Sequence, residues 1–140
     1  MLPIVNDLKV TKFKHFRDER GVLVPVDISQ TVPFPVLRLY WIFDVPPGTS
    51  RGGHAHKACH QYYLCVSGSL QVQAYDGQTE RMITLAPGDG IHIPPAIFTT
   101  EWFSVPGSIL MVLCSRYYEP DDYVKDHKTL AAFRRISSAS

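Results

Sequence analysis

Two histidines separated by one residue are the strongest chemical signal in the sequence. His54 and His56 follow Gly52-Gly53 and stand close to Arg51. Residues two apart in a strand point to the same face, so both imidazoles are predicted to project together. Unperturbed imidazoles titrate near neutral pH, so the pair can serve as general acids and bases. The fixed cation Arg51 is predicted to bind an anionic group.

The elements that hold this pair are predicted to be short strands. Apolar and β-branched segments of strand length recur between residues 22 and 115, with turn pairs such as Asp76-Gly77 and Pro87-Gly88 between them. This pattern is typical of a sandwich or barrel. A helix is predicted in the tail, starting near Pro120 and continuing through residues 128–135. We therefore predict one all-β domain over residues 1–140, with a short C-terminal helical segment.

Composition excludes several classes of function. The 140 residues suffice for one domain with one core. A net charge of +1 gives no electrostatic case for nucleic acid or a membrane surface. No window approaches the roughly 18 apolar residues of a membrane span, and the start of the sequence does not resemble a signal peptide. Three cysteines, with no CxxC pair, are predicted to be buried and reduced, in keeping with a cytoplasmic location.

Two segments resemble the motifs of the cupin superfamily. Residues 48–68 match the first motif with the histidine pair in register, and residues 87–99 match the second. The resemblance implies a jelly-roll β-barrel. Gln61 stands where metal-binding cupins carry glutamate, and Thr99 stands near the usual final histidine. Amide and hydroxyl groups are poor ligands for Zn or Fe, so we expect no metal and no cofactor.

A closer resemblance covers nearly the whole chain. Residues 38–44, 51–57 and 117–126, together with 18–23, resemble the cupin-type dTDP-4-keto-6-deoxy-D-glucose 3,4-ketoisomerases. This implies a metal-independent homodimer that moves a sugar carbonyl from C4 to C3 in deoxy-amino-sugar biosynthesis, for example for lipopolysaccharide O-antigen. Many members have Trp-His where this chain has Phe98-Thr99, which leaves the C4 configuration of the product open.

The resemblance and the residue types give a set of expected site residues. His54 and His56 are the expected catalytic pair, exchanging protons with C3 and C4 through an enediol or enediolate. The nucleotide diphosphate requires cations, for which Arg51 and Arg20 are the candidates. The remaining expected substrate contacts are Tyr40, Gln61 and Thr99.

Two other functions fit the same residues. One is a non-catalytic cupin that binds sugar nucleotides, and the other is a metal-dependent cupin enzyme. The assembly is also an expectation: the N-terminal segment, about residues 1–12, carries an apolar stretch over residues 2–10 that is expected to be exchanged or packed between subunits of a dimer.

Overall fold

Twelve β-strands form the framework of the chain in the computed structural model, which describes residues 1–139. The strands are β1 (Val10–Lys12), β2 (Phe16–Asp18), β3 (Gly21–Leu23), β4 (Arg38–Ile42), β5 (Ser50–His56), β6 (Gln61–Ser67), β7 (Leu70–Tyr75), β8 (Glu80–Leu85), β9 (Asp89–Ile93), β10 (Phe98–Phe103), β11 (Ile109–Cys114) and β12 (Tyr123–Val124). Two α-helices, α1 (Ile28–Thr31) and α2 (His127–Ala139), and two 3-10 turns, Val5–Asp7 and Pro120–Asp122, complete the described part.

Ten of the strands form two antiparallel sheets that face each other. One sheet has the order β1-β9-β6-β11-β4 and the other the order β12-β5-β10-β7-β8. Strands β2 and β3 form a separate hairpin. The all-β fold with a short C-terminal helix predicted from the sequence is confirmed. None of the helices in the described part of the chain has the length and apolar character needed to span a membrane.

Alternating side chains build the core between the sheets. On β7, Leu70, Val72 and Ala74 are fully buried, whereas the residues between them are only partly covered. This period of two is what a strand with one face on a core requires. Fully burying a leucine or valine side chain contributes about 1.5–3 kcal/mol, so the inward rows hold the two sheets together.

The C-terminal segment differs from the sequence prediction at its start. Residues Pro120–Asp122 form an isolated 3-10 turn, and the two residues after it pair with β5 as strand β12. Helix α2 begins only at His127, where the Asp126 carboxylate accepts the backbone N–H of Thr129 at 2.6 Å. Strand pairing with β5 therefore competes successfully with early helix formation.

The N-terminal segment packs against its own barrel in this structure. Val5 and Leu8 are buried in the core, and Arg81 donates hydrogen bonds to both of their carbonyl oxygens. The Asp76 carboxylate accepts the N–H of Val5 at 2.9 Å. Exchange of this segment between subunits stays a prediction.

Candidate active site

A β-bulge in β5 sets the direction of the site's side chains. His54 lies opposite Thr99 of β10, and Arg51 lies opposite Glu101, with a register shift between them. Gly52 and Gly53 have φ of +84° and +75°, values that favour glycine. The bulge adds one residue to β5. As a result Arg51 and His54, three residues apart, share the inner face of the sheet.

The two predicted histidines lie side by side on that face. Their ring centroids are 5.0 Å apart in an edge-to-face arrangement. Tyr123 of β12 packs against both, with its ring centroid 4.8 Å from that of His54 and 4.5 Å from that of His56. Burial, and then the nearby His56, lower the pKa of His54 to about 4. His54 is therefore a neutral imidazole at neutral pH.

A carboxylate orients the second histidine. The Oδ2 atom of Asp122 lies 2.9 Å from Nδ1 of His56. The same carboxylate accepts the backbone N–H groups of Ala58 at 2.8 Å and Cys59 at 3.2 Å, so its position is fixed by the turn after β5. A carboxylate accepts but does not donate, so it places the Nδ1 proton on its own side and leaves Nε2 as the free base of neutral His56.

Both histidines have a buried ring nitrogen without a partner. Within residues 1–139, Nε2 of His54 and Nε2 of His56 accept or donate no hydrogen bond. Buried polar groups in folded proteins are nearly always paired, and exceptions often have a catalytic role. Two adjacent exceptions indicate a site for a polar ligand that the protein does not itself supply.

The opposite wall of the site comes from the other sheet. Gln61, at the start of β6, donates its amide to the hydroxyl of Tyr40 at 3.3 Å and to Sγ of Cys114 at 3.7 Å. The guanidinium of Arg38 lies 5.0 Å from the ring centroid of Tyr40 and 5.4 Å from that of Tyr118. Burial raises the pKa of Tyr40, so its hydroxyl stays protonated at neutral pH.

A buried polar cluster lies next to the histidines. The hydroxyl groups of Tyr63 and Thr99 are 2.9 Å apart, and both donate to Oε1 of Glu101, Thr99 at 3.0 Å. Burial raises the pKa of Glu101, while the two hydroxyl donors and the charge of Arg51 oppose that shift. Thr99 is thus occupied within the protein.

Comparison with known proteins identifies the family. The family model described as "FdtA: WxcM-like, C-terminal" matches residues 6–135. The chain belongs to the FdtA family. A TDP-4-oxo-6-deoxy-alpha-D-glucose-3,4-oxoisomerase from Aneurinibacillus thermoaerophilus is 37% identical to it over 120 residues, covering 85% of this chain and 86% of the relative.

Solved structures of similar proteins agree with this FdtA-family assignment. QdtA, a sugar 3,4-ketoisomerase from Thermoanaerobacterium thermosaccharolyticum crystallised with TDP, matches with a TM-score of 0.87 and 29% identity over 96% of this chain and 98% of its own. WlaRB, a TDP-quinovose 3,4-ketoisomerase from Campylobacter jejuni, matches with a TM-score of 0.82 and 29% identity over 91% of this chain and 99% of its own. The predicted ketoisomerase fold is confirmed.

The FdtA-family chain brings most of the predicted site residues to the space between its sheets. Those on the inner faces are His54, His56, Arg51, Tyr40, Gln61 and Thr99. Arg20 lies elsewhere in the single chain, at the turn of the β2–β3 hairpin. Its side chain is 84% exposed, and its guanidinium pairs with Asp18 at 2.6 Å. Their roles toward substrate stay predictions.

Several residues of this site have no functional role that the sequence pattern predicts. Asp122 and Tyr123 lie in a block that carried the family resemblance, but their contacts with His56 depend on the pairing of β12 with β5. Arg38 likewise lies in a block of that resemblance. The position of Glu101 is itself informative, since it lies two residues after Thr99 in an apolar strand. A charged residue that is buried in such a strand must have a polar partner, which indicates a buried polar cluster.

The residues at the four cupin ligand positions do not fit a transition metal. His54 and His56 are suitable donors, but the amide of Gln61 and the hydroxyl of Thr99 are poor ones and are engaged by protein groups. Metal independence of the reaction stays a prediction.

Proposed function

We propose that this chain is a TDP-sugar 3,4-ketoisomerase acting on a TDP-linked 4-keto-6-deoxyhexose, in the cytoplasmic synthesis of deoxy-amino sugars. The observation that carries the proposal is the pair of imidazoles whose Nε2 atoms are buried and unpaired, one of the two rings being held by Asp122. The named relatives point to the same reaction.

The reaction needs two proton transfers at adjacent carbons. The C4 carbonyl acidifies the hydrogen on C3, a base removes that hydrogen, and an enediol or enediolate forms. Return of a proton at C4, with loss of the O3 proton, leaves the carbonyl at C3. Two adjacent imidazoles can serve both carbons without a large movement of substrate.

The surroundings of the two rings assign them different tasks. An imidazolium at His56 would lie 2.9 Å from the Asp122 carboxylate and be stabilised by it. An imidazolium at His54 is disfavoured by burial and by its neighbour. We therefore assign removal of the C3 hydrogen to His56, and proton exchange with the oxygens and C4 to His54.

Substitution of each histidine by asparagine tests this assignment. His54→Asn and His56→Asn are each expected to lower kcat by about 10²–10⁴-fold, the usual contribution of one general acid or base. In deuterium oxide, His54→Asn is expected to retain exchange of the C3 hydrogen and His56→Asn to lose it, as measured by NMR of the sugar.

A matched control keeps the result interpretable. His92→Asn removes an imidazole that pairs with His60 at 2.9 Å, outside the site, and is expected to leave kcat unchanged. Near-normal turnover in both site variants would contradict the mechanism. Loss of turnover after treatment with EDTA, restored by added Mn or Fe, would support a metal-dependent cupin enzyme instead.

The assembly we propose is a homodimer, with the N-terminal residues 1–12 packed or exchanged between subunits. The edge strand β4 exposes Trp41 and Leu39, and the isolated β2–β3 hairpin exposes Leu23. A two-stranded hairpin is marginally stable alone, so a covering partner would stabilise it. Arg20 belongs to this hairpin, which makes its predicted phosphate contact dependent on the assembly.

Light scattering tests the dimer directly. We expect a dimer at micromolar concentration, and we expect Trp41→Lys to weaken it because a charge would be buried at the proposed interface. A wild-type protein that is monomeric under these conditions would contradict the proposal.

A further inference from the structure

Three side chains of types that bind metal ions form a cluster that includes His56 of the histidine pair. A ring nitrogen of His56, Sγ of Cys59 and a carboxylate oxygen of Asp122 all lie within 4.8 Å of one another. These are not the cupin ligand positions, with which they share only His56. Imidazole, thiolate and carboxylate together are a donor set that suits Zn²⁺.

The backbone holds these three groups in place. Asp122 accepts the N–H groups of Ala58 and Cys59, so the turn after β5 fixes the sulfur beside the carboxylate. His56 and Cys59 are 7% and 6% exposed. Ligands around a tetrahedral zinc ion lie about 3.3–3.8 Å apart, given bond lengths of about 2.0–2.3 Å, so small side-chain rotations would close the site.

We propose that His56, Cys59 and Asp122 form an inhibitory site for Zn²⁺, in which the ion replaces the proton between His56 and Asp122. The thiol of Cys59 releases its proton and binds as thiolate. Nδ1 of His56 gives up its proton and coordinates the ion through its lone pair. In neutral His56 the ring proton then resides on Nε2, the atom that must otherwise act as base.

This proton balance gives the consequence for the enzyme. Zinc binding releases the thiol proton and changes the tautomer of His56, so the imidazole can no longer accept a proton at Nε2. The bound ion therefore blocks isomerisation without occupying the space between His54 and the opposite sheet. The inhibition rests on the proposed function, whereas zinc binding does not.

Binding is measured first, apart from activity. Zn²⁺ is titrated by calorimetry into metal-free protein, and Co²⁺ is added in parallel, because a cobalt–thiolate bond gives a charge-transfer absorption. One zinc ion per chain and a thiolate band are expected. Cys59→Ser is expected to weaken zinc affinity by at least about tenfold and to abolish the band.

Two matched variants separate this site from others. Cys65→Ser removes a buried thiol elsewhere in the core, and His92→Asn breaks the His60–His92 pair, the other histidine pair in the described chain. Both are expected to bind zinc as the wild type does. Zinc binding lost in His92→Asn but retained in Cys59→Ser, or no thiolate band in the wild type, would overturn the proposal.

Turnover is then measured with and without Zn²⁺. Wild type is expected to lose activity in a slight excess of zinc and to recover it with EDTA, while Cys59→Ser resists inhibition. Zinc that binds through Cys59 without inhibiting would overturn the inhibitory role. A protein that binds zinc in this way but isomerises no TDP-sugar would contradict the proposed function and leave the metal site standing.

Discussion

Asp122 is the residue whose contribution to catalysis can be worked out most directly from the structure. Its carboxylate accepts hydrogen bonds from His56 Nδ1 and from the N–H groups of Ala58 and Cys59. In Asp122→Asn only one oxygen remains. If that oxygen keeps the bond to Ala58, the new amide NH₂ faces His56 Nδ1 and favours the tautomer with its proton on Nε2.

The expected size of the effect follows from the bond that is lost. A hydrogen bond to a charged group contributes about 1.5–3 kcal/mol. If the imidazolium forms in the transition state, kcat is expected to fall by about 10–150-fold, since each 1.36 kcal/mol corresponds to a factor of ten. KM is expected to change less, because all three bonds of the carboxylate are to protein groups.

The assay is steady-state turnover of TDP-4-keto-6-deoxyglucose, with nitrogen NMR of His56 to report its tautomer. Asp121→Asn is the matched control, because it removes an exposed carboxylate from the same 3-10 turn. A thermal melt shows whether each variant is folded. A kcat within about twofold of wild type in folded Asp122→Asn, with an unchanged tautomer, would refute the reasoning.

Three further predictions concern stability and substrate binding. Gly68 has φ +78°, and a Cβ there would overlap Ser108, so Gly68→Ala is expected to lower the free energy of unfolding by about 1–3 kcal/mol in urea titrations. Burial raises the pKa of the Glu101 carboxyl group above its ordinary 4.5. Above pH 4.5 this group is therefore ionised to a greater extent in the unfolded chain than in the folded protein, and the free energy of unfolding of the wild type falls as the pH rises. The stability difference between Glu101→Gln and wild type is therefore expected to shift in favour of the variant as the pH rises above 4.5; a difference that does not change with pH would contradict this. Arg51→Ala is expected to raise KM more than it lowers kcat, and an unchanged KM would remove Arg51 from substrate binding.

The all-β fold class and the direction of the histidine pair follow from the sequence pattern, whereas the jelly-roll barrel follows only from the resemblance to the cupin motifs. Short apolar segments between turns are a local pattern, and the spacing of His54 and His56 places both on one face of any regular strand. Both properties depend only on neighbouring residues, which explains why they can be predicted from the sequence.

The partners of these histidines depend on pairing between distant segments. Asp122 lies 66 positions from His56 and reaches it because β12 pairs with β5. Acidic residues after Pro120 resemble a helix start, and that local preference gave no indication of the strand that follows. The placement of Arg20 on an isolated hairpin also depends on long-range packing, which no local pattern encodes.

The bulge in β5 has a consequence for how this site can change in evolution or design. Arg51 shares a face with the histidines only because of the bulge, since residues three apart point to opposite faces of a regular strand. Replacing Gly52 and Gly53 by residues that favour a regular strand of the same length would therefore turn Arg51 away from the histidines. A side chain at Gly52 would collide with the buried carboxylate of Glu101, so the bulge requires glycine at this position. The length of this segment and its two glycines therefore have to be kept together. If the His-x-His element were transferred to another barrel without both glycines and the space above Glu101, Arg51 and the histidines would point to different faces of the sheet.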